Sequence, residues 1–283
     1  MPTISIRFSK LEALGNDFML VDARCQTFSP SADQIRKLGH RRHGVGFDQL
    51  LILSPASHAD RLCAVTIFNS DGSPARQCGN GMRAIALWLH HNGEISADAC
   101  LETASGIIRV HYDSPDHITA TLAVPDFSPS AWGCKSKLEE WTEMLDDRPI
   151  TLHGVSMGNP HLVIPWPEQP DPVTLERLAA RYGRHPGLAE GANISLARVL
   201  DRQHIELTVF ERGAGPTPAC GSAACATAVV LISLGQVDSP VTVKQPGGEL
   251  VVHWPAYDQP VEMTGPARLI FDGTIESESE RKS

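Results

Sequence analysis

Two cysteines in this chain have matched surroundings, and a pair of thiols is enough to take a proton off carbon and return one. Cys78 follows Phe68-Asn69-Ser70-Asp71-Gly72 and opens Gly79-Asn80-Gly81, while Cys220 follows Phe210-Glu211-Arg212-Gly213 and opens Gly221-Ser222. The step from Cys78 to Cys220 and from Phe68 to Phe210 is the same 142 residues, about half of the 283-residue chain. After each Cys-Gly pair comes a nearly charge-free run: Gly81–Leu89 with Arg83 as its only charge, and Ser222–Leu234 with none. Such runs predict helices buried on every side, each beginning at Cys-Gly. A helix N-terminus offers unpaired N–H groups and a positive partial charge. A cysteine there is expected to have its pKa drawn down from about 8.5 toward neutrality. The same N–H groups, approached closely at Gly79 and Gly221, can hold a carboxylate. With one thiol on each face of a bound acid, one sulfur removes the α-proton and the other returns a proton from the opposite side.

Taken singly, a cysteine at a Gly-rich turn is more often a small packing residue. Cys25, Cys63, Cys100, Cys134 and Cys225 lack the repeated setting and take that reading. A disulfide between Cys78 and Cys220 is a second alternative, one that would switch the chemistry off. Around the two thiols Asn16, Asn69, Asn159 and Asn193 end or begin apolar strands, and Gln49 precedes one. A strand-end Asn is commonly a turn residue, but four of them, with a matched Gly-Asn pair, favour ligand contacts. Glu211-Arg212 occupies the turn where the first copy has Asn69-Ser70, and Arg suits a bidentate grip on a carboxylate. His161, two residues after Asn159, is positioned in sequence to tune a thiol. Gly44-Val45-Gly46 and Gly213-Ala214-Gly215 do not complete a dinucleotide fingerprint. His40/His43 and His90/His91 lack further metal ligands nearby, so no metal is expected.

The elements that position these residues repeat as well. Gly15-Asn16-Asp17-Phe18-Met19-Leu20-Val21 is answered by Gly158-Asn159-Pro160-His161-Leu162-Val163-Ile164, and Gly106-Ile107-Ile108-Arg109-Val110-His111-Tyr112 by Gly248-Glu249-Leu250-Val251-Val252-His253-Trp254. Strands are expected at Asp17–Asp22, Gln49–Ser54, Leu62–Asn69, Cys100–Thr103, Ile107–Tyr112 and Ile118–Val124. In the second half they are expected at Val155–Ser156, Leu162–Ile164, Asn193–Val199, Ile205–Phe210, Val241–Val243, Leu250–Trp254 and Val261–Met263. Outer helices are expected at Ser31–Leu38 and Thr174–Tyr182. The Pro/Ser-containing stretch Pro125–Pro149 reads as the boundary, with a short helix over Lys137–Leu145. Residues 1–124, completed by 267–283, then form a half carrying Cys78, and 125–266 a half carrying Cys220. Arg268–Ile275 returns to the first half, and Glu276–Ser283 reads as a frayed tail. The fold class is α/β of the α+β type: two homologous domains related by a pseudo-two-fold axis, each a mixed, largely antiparallel barrel-like sheet around a central helix.

Bulk properties narrow the partners. A net charge of −9 argues against nucleic acid or an anionic membrane surface. No apolar run approaches a membrane span, and Met1–Lys10 lacks an export signal core. Seven cysteines without a CxxC pair fit reduced thiols in a cytoplasm.

With these residues in view, the sequence closely resembles the diaminopimelate epimerases. The matching stretches are Leu14-Gly15-Asn16-Asp17-Phe18, Gly44-Val45-Gly46-Phe47-Asp48-Gln49, Phe68-Asn69-Ser70-Asp71-Gly72, Gln77-Cys78-Gly79-Asn80-Gly81, Gly158-Asn159-Pro160-His161, Ala192-Asn193-Ile194, Glu211-Arg212-Gly213-Ala214-Gly215 and Ala219-Cys220-Gly221-Ser222. The resemblance implies a cofactor-independent epimerase interconverting LL- and meso-2,6-diaminopimelate, usually a homodimer. It implies Cys78 and Cys220 as proton donor and acceptor, with Gly79-Asn80 and Gly221-Ser222 cradling the carboxylate at the reacting centre. It gives Asn16, Gln49, Asn69, Asn159, Asn193, Glu211 and Arg212 to the amino groups and the distal end, with His161 and Glu211 modulating the thiols. Glu12-Ala13, Met82 and Ala223 depart from the family's usual residues, none at a position with an assigned chemical role. The alternatives are a proline-, hydroxyproline- or histidine-type racemase on the same fold, a non-catalytic amino-acid-binding protein, and a thiol redox sensor.

Overall fold

The computed structural model describes residues 3–135, 140–145 and 148–278. The chain divides into two compact units, Met1–Ala120 with Pro266–Ser283, and Thr121–Gly265. In the first, β1 (Thr3–Ala13), β2 (Asn16–Asp22), β3 (Gln49–Ser54), β4 (Cys63–Asn69), β5 (Pro74–Ala75), β6 (Asp98–Thr103), β7 (Gly106–Ser114) and β8 (His117–Thr121) accompany helices α1 (Ala32–Gly39) and α2 (Gly79–His91). In the second, β9 (Glu140–Leu145), β10 (Arg148–Ser156), β11 (Pro160–Pro165), β12 (Asn193–Asp201), β13 (His204–Glu211), β14 (Gly215–Thr217), β15 (Val241–Gln245), β16 (Gly248–His253) and β17 (Glu262–Gly265) accompany α3 (Pro172–Tyr182) and α4 (Gly221–Ser233). The last strand, β18 (Arg268–Glu278), pairs antiparallel with β1.

The two units have the same topology. In each, the strand following the outer helix pairs in parallel with the one before it: β2 with β3 around α1, and β11 with β12 around α3. The central helix likewise spans the second parallel pair, β4 with β6 and β13 with β15. A parallel neighbour needs a crossover connection, and these four helices are the crossovers. The remaining pairs within each unit are antiparallel among the described residues. β18 lies beside β1 as β9 lies beside β10.

Both faces of the central strands are covered, so those strands are apolar throughout. Alternation divides the residues between the faces. Phe18, Leu20, Leu51 and Leu53 join the core around α2, whereas Met19, Val21, Leu50 and Ile52 join the layer that packs Ile35 of α1. Strands β1, β2, β3, β4, β6, β7 and β8 all contribute to the α2 core, so the sheet curls about that helix. Helix α4 is buried from Ala223 to Leu231 and packs on β10 to β13, β15 and β16. This is the burial that its uncharged sequence demands. The outer helices begin on ordinary caps: Ser31 with Gln34 in a capping box, and Asp171 before Pro172. Both central helices instead take a cysteine as N-cap, Cys78 and Cys220.

Four expectations change. Residues 140–145 form strand β9, not the end of a helix, and residues 137–139 of that expected helix lie outside the described residues. Helix-forming residues yield there to a period of two: Trp141, Glu143 and Leu145 turn inward while Thr142 and Met144 face solvent. Trp141 packs on the core and donates its indole N–H to Glu143, which also receives Tyr182 Oη. Strand β1 is a further element, its Ile6 and Phe8 on one face and Leu11 and Ala13 on the other. The short strands β5 and β14, with two and three residues, are too brief to leave a periodic signal. Of the expected tail, β18 includes residues through Glu278, and 279–283 lie outside the described residues.

Close packing fixes the second sheet beside β11. A Cβ added at Gly154 would lie 2.2 Å from a ring atom of Trp132, itself buried, with its indole nitrogen 3.3 Å from the Phe127 carbonyl. Because neither ring nor strand can yield, Gly154→Ala is expected to cost about 1–3 kcal/mol or more, read as a lower denaturant midpoint at unchanged slope. An unchanged midpoint would mean that the ring moves freely.

Candidate active site

Each central helix presents its cysteine sulfur at its first turn. In the first unit, Cys78 has extended backbone (φ −149°, ψ 99°), and its Sγ accepts the Gly81 N–H at 3.2 Å. Asn16 Oδ1 lies 3.7 Å from the same sulfur. A tight turn delivers Asn16 to that position: Leu14 and Gly15 both have positive φ, 56° and 82°, and join β1 to β2 in a two-residue hairpin. The Asn16 amide is then oriented by charge. Its Nδ2 donates to Asp48 Oδ2 at 3.1 Å, and Asp48 is held by Arg41 at 2.6 Å. Arg41 and Lys10 also grip Asp17. Burial would raise the Asp17 carboxyl, but these cations outweigh it and bring the pKa down to about 2. The anionic pair Asp17 and Asp48 is therefore a fixed frame beneath the Asn16 amide.

Gln49 and Asn69 are cross-strand partners on β3 and β4, joined from Gln49 Nε2 to Asn69 Oδ1 at 3.1 Å. Asn69 Nδ2 donates in turn to Ser73 Oγ. Asn80, the second residue of α2, is buried, and its Oδ1, like Gln49 Oε1, has no hydrogen-bond partner among the described residues. Buried acceptors without a donor are costly. Both residues thus retain capacity for a polar ligand.

The second unit repeats the frame with different chemistry. Cys220 is 6% exposed, and its Sγ–H donates to Glu211 Oε2 at 3.1 Å, with Ser222 Oγ at 3.5 Å. Burial first, and then the Glu211 charge, push this thiol well above its ordinary value; the Ser222 hydroxyl and the Ala223 N–H work the other way and are outweighed. The expectation of a thiolate at this helix start is thereby corrected. A positive helix end does not offset a carboxylate within hydrogen-bonding distance in a dry site. Glu211 is held at its other oxygen by Thr217 at 2.6 Å. The Cys220 backbone N–H goes to Gln245 Oε1 at 2.8 Å.

His161 on β11 is fully buried, and Asn193 stands beside it in the parallel register of β12. Its Nε2 lies 3.1 Å from Asn159 Oδ1 and 3.5 Å from Asn193 Nδ2. Burial first, and the Arg212 charge second, bring its pKa from 6.5 to about 3. It is a neutral imidazole at physiological pH and acts through hydrogen bonding, not as a cation. Asn193 Oδ1 accepts the Arg212 backbone N–H at 2.8 Å, while the Arg212 guanidinium turns to the Glu190 carbonyl and carboxylate. Gly221 is buried as the first residue of α4.

Within the first unit the structure therefore gathers Asn16, Gly81 and Cys78 about one sulfur and pairs Gln49 with Asn69. In the second it gathers Glu211, Ser222 and Cys220 about the other and groups Asn159, His161, Asn193 and the Arg212 backbone. Sequence reasoning missed Asp48, Thr217 and Gln245 as supports. Gln245 ends β15 as Thr103 ends β6, and a polar residue closing an apolar strand in both copies was the available signal. Among the described residues, no group of three His, Cys, Asp or Glu side chains is placed to hold a metal ion.

The sequence model for diaminopimelate epimerase matches residues 8–124 and 154–270. A diaminopimelate epimerase from Ectopseudomonas mendocina is 38% identical over 273 residues, covering 95% of this chain and 99% of its own. One from Alkalilimnicola ehrlichii is 38% identical over 277 residues, covering 96% and 99%. Among solved structures, a hydroxyproline epimerase from Agrobacterium vitis aligns with a TM-score of 0.71 at 13% identity, covering 98% of this chain and 92% of its own. A Bacillus anthracis phenazine biosynthesis protein aligns at 0.63 and 16% identity, covering 96% and 99%. At such identities these two likenesses concern the fold alone.

Two titrations check the electrostatics. Removing the Glu211 charge in Glu211→Gln is expected to shift thiolate absorbance near 240 nm to lower pH, and the shift should vanish in Glu211→Gln with Cys220→Ser. An unmoved titration would remove Glu211 as a cause. For His161 the folded pKa lies below the unfolded one. The unfolded chain alone takes up that proton as pH falls from 6.5 toward 3, so stability is lost on acidification. His161→Gln should lose less Tm than the parent between pH 7.5 and 5, and an equal loss in both would contradict the assignment.

Proposed function

This chain belongs to the diaminopimelate epimerase family, and on that premise we propose that it interconverts LL- and meso-2,6-diaminopimelate, with Cys78 and Cys220 as its two proton carriers. The observation that carries the reading is the use of cysteine, twice, as N-cap of a buried helix at the same point of a repeated topology. Ser, Thr, Asp or Asn would cap these helices better. Ser, Thr and Asn would not carry a proton to and from carbon at neutral pH as a thiol does.

In the forward direction the Cys78 sulfur, as thiolate, takes the α-hydrogen of the substrate. The C–H electron pair moves into the α-carboxylate, giving an enediolate. Cys220 supplies the proton to the opposite face of the same carbon and is left as thiolate. Burial and Glu211 keep Cys220 protonated until that moment, which suits it to the donor role. The Gly81 N–H donated to the Cys78 sulfur suits the complementary role. The backbone N–H groups of Gly79 and Asn80, and of Gly221 and Ser222, would bind the carboxylate as charge builds on it. The reaction requires both helix starts to address one carbon. After each turnover the thiols have exchanged protonation states, and exchange with solvent or the reverse reaction resets them.

The substrate has two amino acid ends. The carboxamides of Asn16, Gln49, Asn69, Asn159 and Asn193, with Glu211 and Arg212, would hold the amino groups and the distal end. A proline-type substrate would leave the charged pair Glu211-Arg212 without a counterpart, which weighs against that alternative. His161 acts as a neutral support for Asn159 and Asn193, and Glu211 as the modulator of Cys220. The same reading takes the enzyme as a cytoplasmic homodimer acting on a small molecule, without cofactor, nucleic acid or membrane partner.

The test is incubation of LL-diaminopimelate with the enzyme in D2O, following optical inversion and α-deuterium together. Inversion with one deuterium per product is expected. Cys78→Ala and Cys220→Ala, each with the parent's circular dichroism and melting, should lower kcat by at least about 10³-fold. Near-parental turnover in either variant would overturn the two-thiol assignment. Turnover of proline or hydroxyproline in place of diaminopimelate would favour the racemase alternative.

A further inference from the structure

Helix α2 contains one charge that its counterpart lacks. Arg83 is fully buried in the middle of Met82, Ala84, Ile85 and Ala86, all equally buried. The 142-residue repeat places Cys225 at the corresponding point of α4, also fully buried. A guanidinium in a dry core costs several kcal/mol unless its donors are used. The repeat itself therefore shows that the helix can be built without it.

What distinguishes the first unit is the return of the chain. The backbone leaves it after Ala120 and re-enters at Pro266, a crossing the second unit does not have to accommodate in its own helix. Arg83 Nε lies 3.4 Å from the Pro266 carbonyl oxygen and donates to it. The next residue, Ala267, is part of the α2 core and donates its N–H to Pro115, beside the outgoing strand. Arg268 Nη1 adds a second bond to the same Pro115 carbonyl. The re-entry peptide is thus fastened on one side to the end of β7 and on the other to the middle of α2. Cys78 is the cap of that same helix, a turn and a half earlier.

We propose that Arg83 is a positioning residue: it ties the helix that aims Cys78 to the re-entry peptide at Pro266, so that the sulfur's placement depends on that peptide. The proposal rests on Cys78 being a proton carrier. An error of about 1 Å in a reacting atom can cost on the order of a hundredfold in rate. The effect belongs in kcat, because Arg83 is not among the groups assigned to the substrate.

The experiment compares the full-length parent with Arg83→Met, Arg83→Lys and Pro266→Gly in the diaminopimelate assay, with rates referred to folded enzyme by circular dichroism and cooperative melting. Folded Arg83→Met is expected to lose about tenfold to a hundredfold in kcat with KM within about twofold, and Arg83→Lys, which keeps a donor, to recover most of it. Pro266→Gly loosens the peptide without stranding a buried charge, and it should show the same kcat-specific loss. Parental kcat in folded Arg83→Met overturns the proposal. Where Arg83→Met does not fold, parental kcat in folded Pro266→Gly overturns it. An inactive parent would instead count against the proposed function, so the two failures are told apart.

Discussion

Everything in this molecule depends on a helix buried on all sides whose first turn ends on a sulfur. Burial makes the helix rigid and excludes water from its flanks. The unpaired N–H groups of the first turn then become the strongest polar feature of an apolar interior. The curled sheet exists to supply that burial: its strands carry apolar residues on both faces because α2 or α4 covers one and an outer helix the other. The four crossover helices close the two parallel pairs of each sheet, so the same architecture that buries the central helix also delivers its N-terminus to the strand ends where Asn16, Gln49 and Asn69, or Asn159, Asn193 and Glu211, are found.

The two copies share a frame and differ in charge. In strand register, Asn69 stands opposite Gln49, and Glu211, 142 residues after Asn69, comes next after Phe210, which pairs with Ile194. One substitution, amide for carboxylate, gives the Cys220 S–H a carboxylate acceptor, while the Cys78 sulfur accepts the Gly81 N–H and donates to the Asn16 amide oxygen. A reaction that inverts one carbon needs a donor and an acceptor at the same moment. The duplication supplies the geometry, and divergence between Asn69 and Glu211 places a carboxylate at Cys220 that raises its thiol.

Much of this was legible in the sequence because it rests on spacing. The matched Cys-Gly pairs, the Gly-Asn turns and the uncharged runs are local patterns, and they identify the family, the central helices and the grouping of strands. What was not legible rests on contacts between distant residues. Segment 140–145 has helix-forming residues, and its antiparallel pairing with β10, with Glu143 bonded to Trp141, Arg181 and Tyr182, makes it a strand. The direction of the Cys220 shift depends on a 3.1 Å contact that a nine-residue separation in sequence does not reveal. Asp48 and Gln245 likewise acquire their roles through partners 32 and 25 residues away.

The placement of β18 bears on how the polypeptide matures. The second unit is one continuous segment, whereas the first lacks one neighbour of β1 until β18 has been made. During vectorial synthesis the later-made half can therefore be complete while the earlier-made half still waits for its closing strand, inverting the usual order in which nascent domains finish. The Cys78 half therefore gains the β18 partner of β1 only after the whole of the Cys220 half has been synthesised.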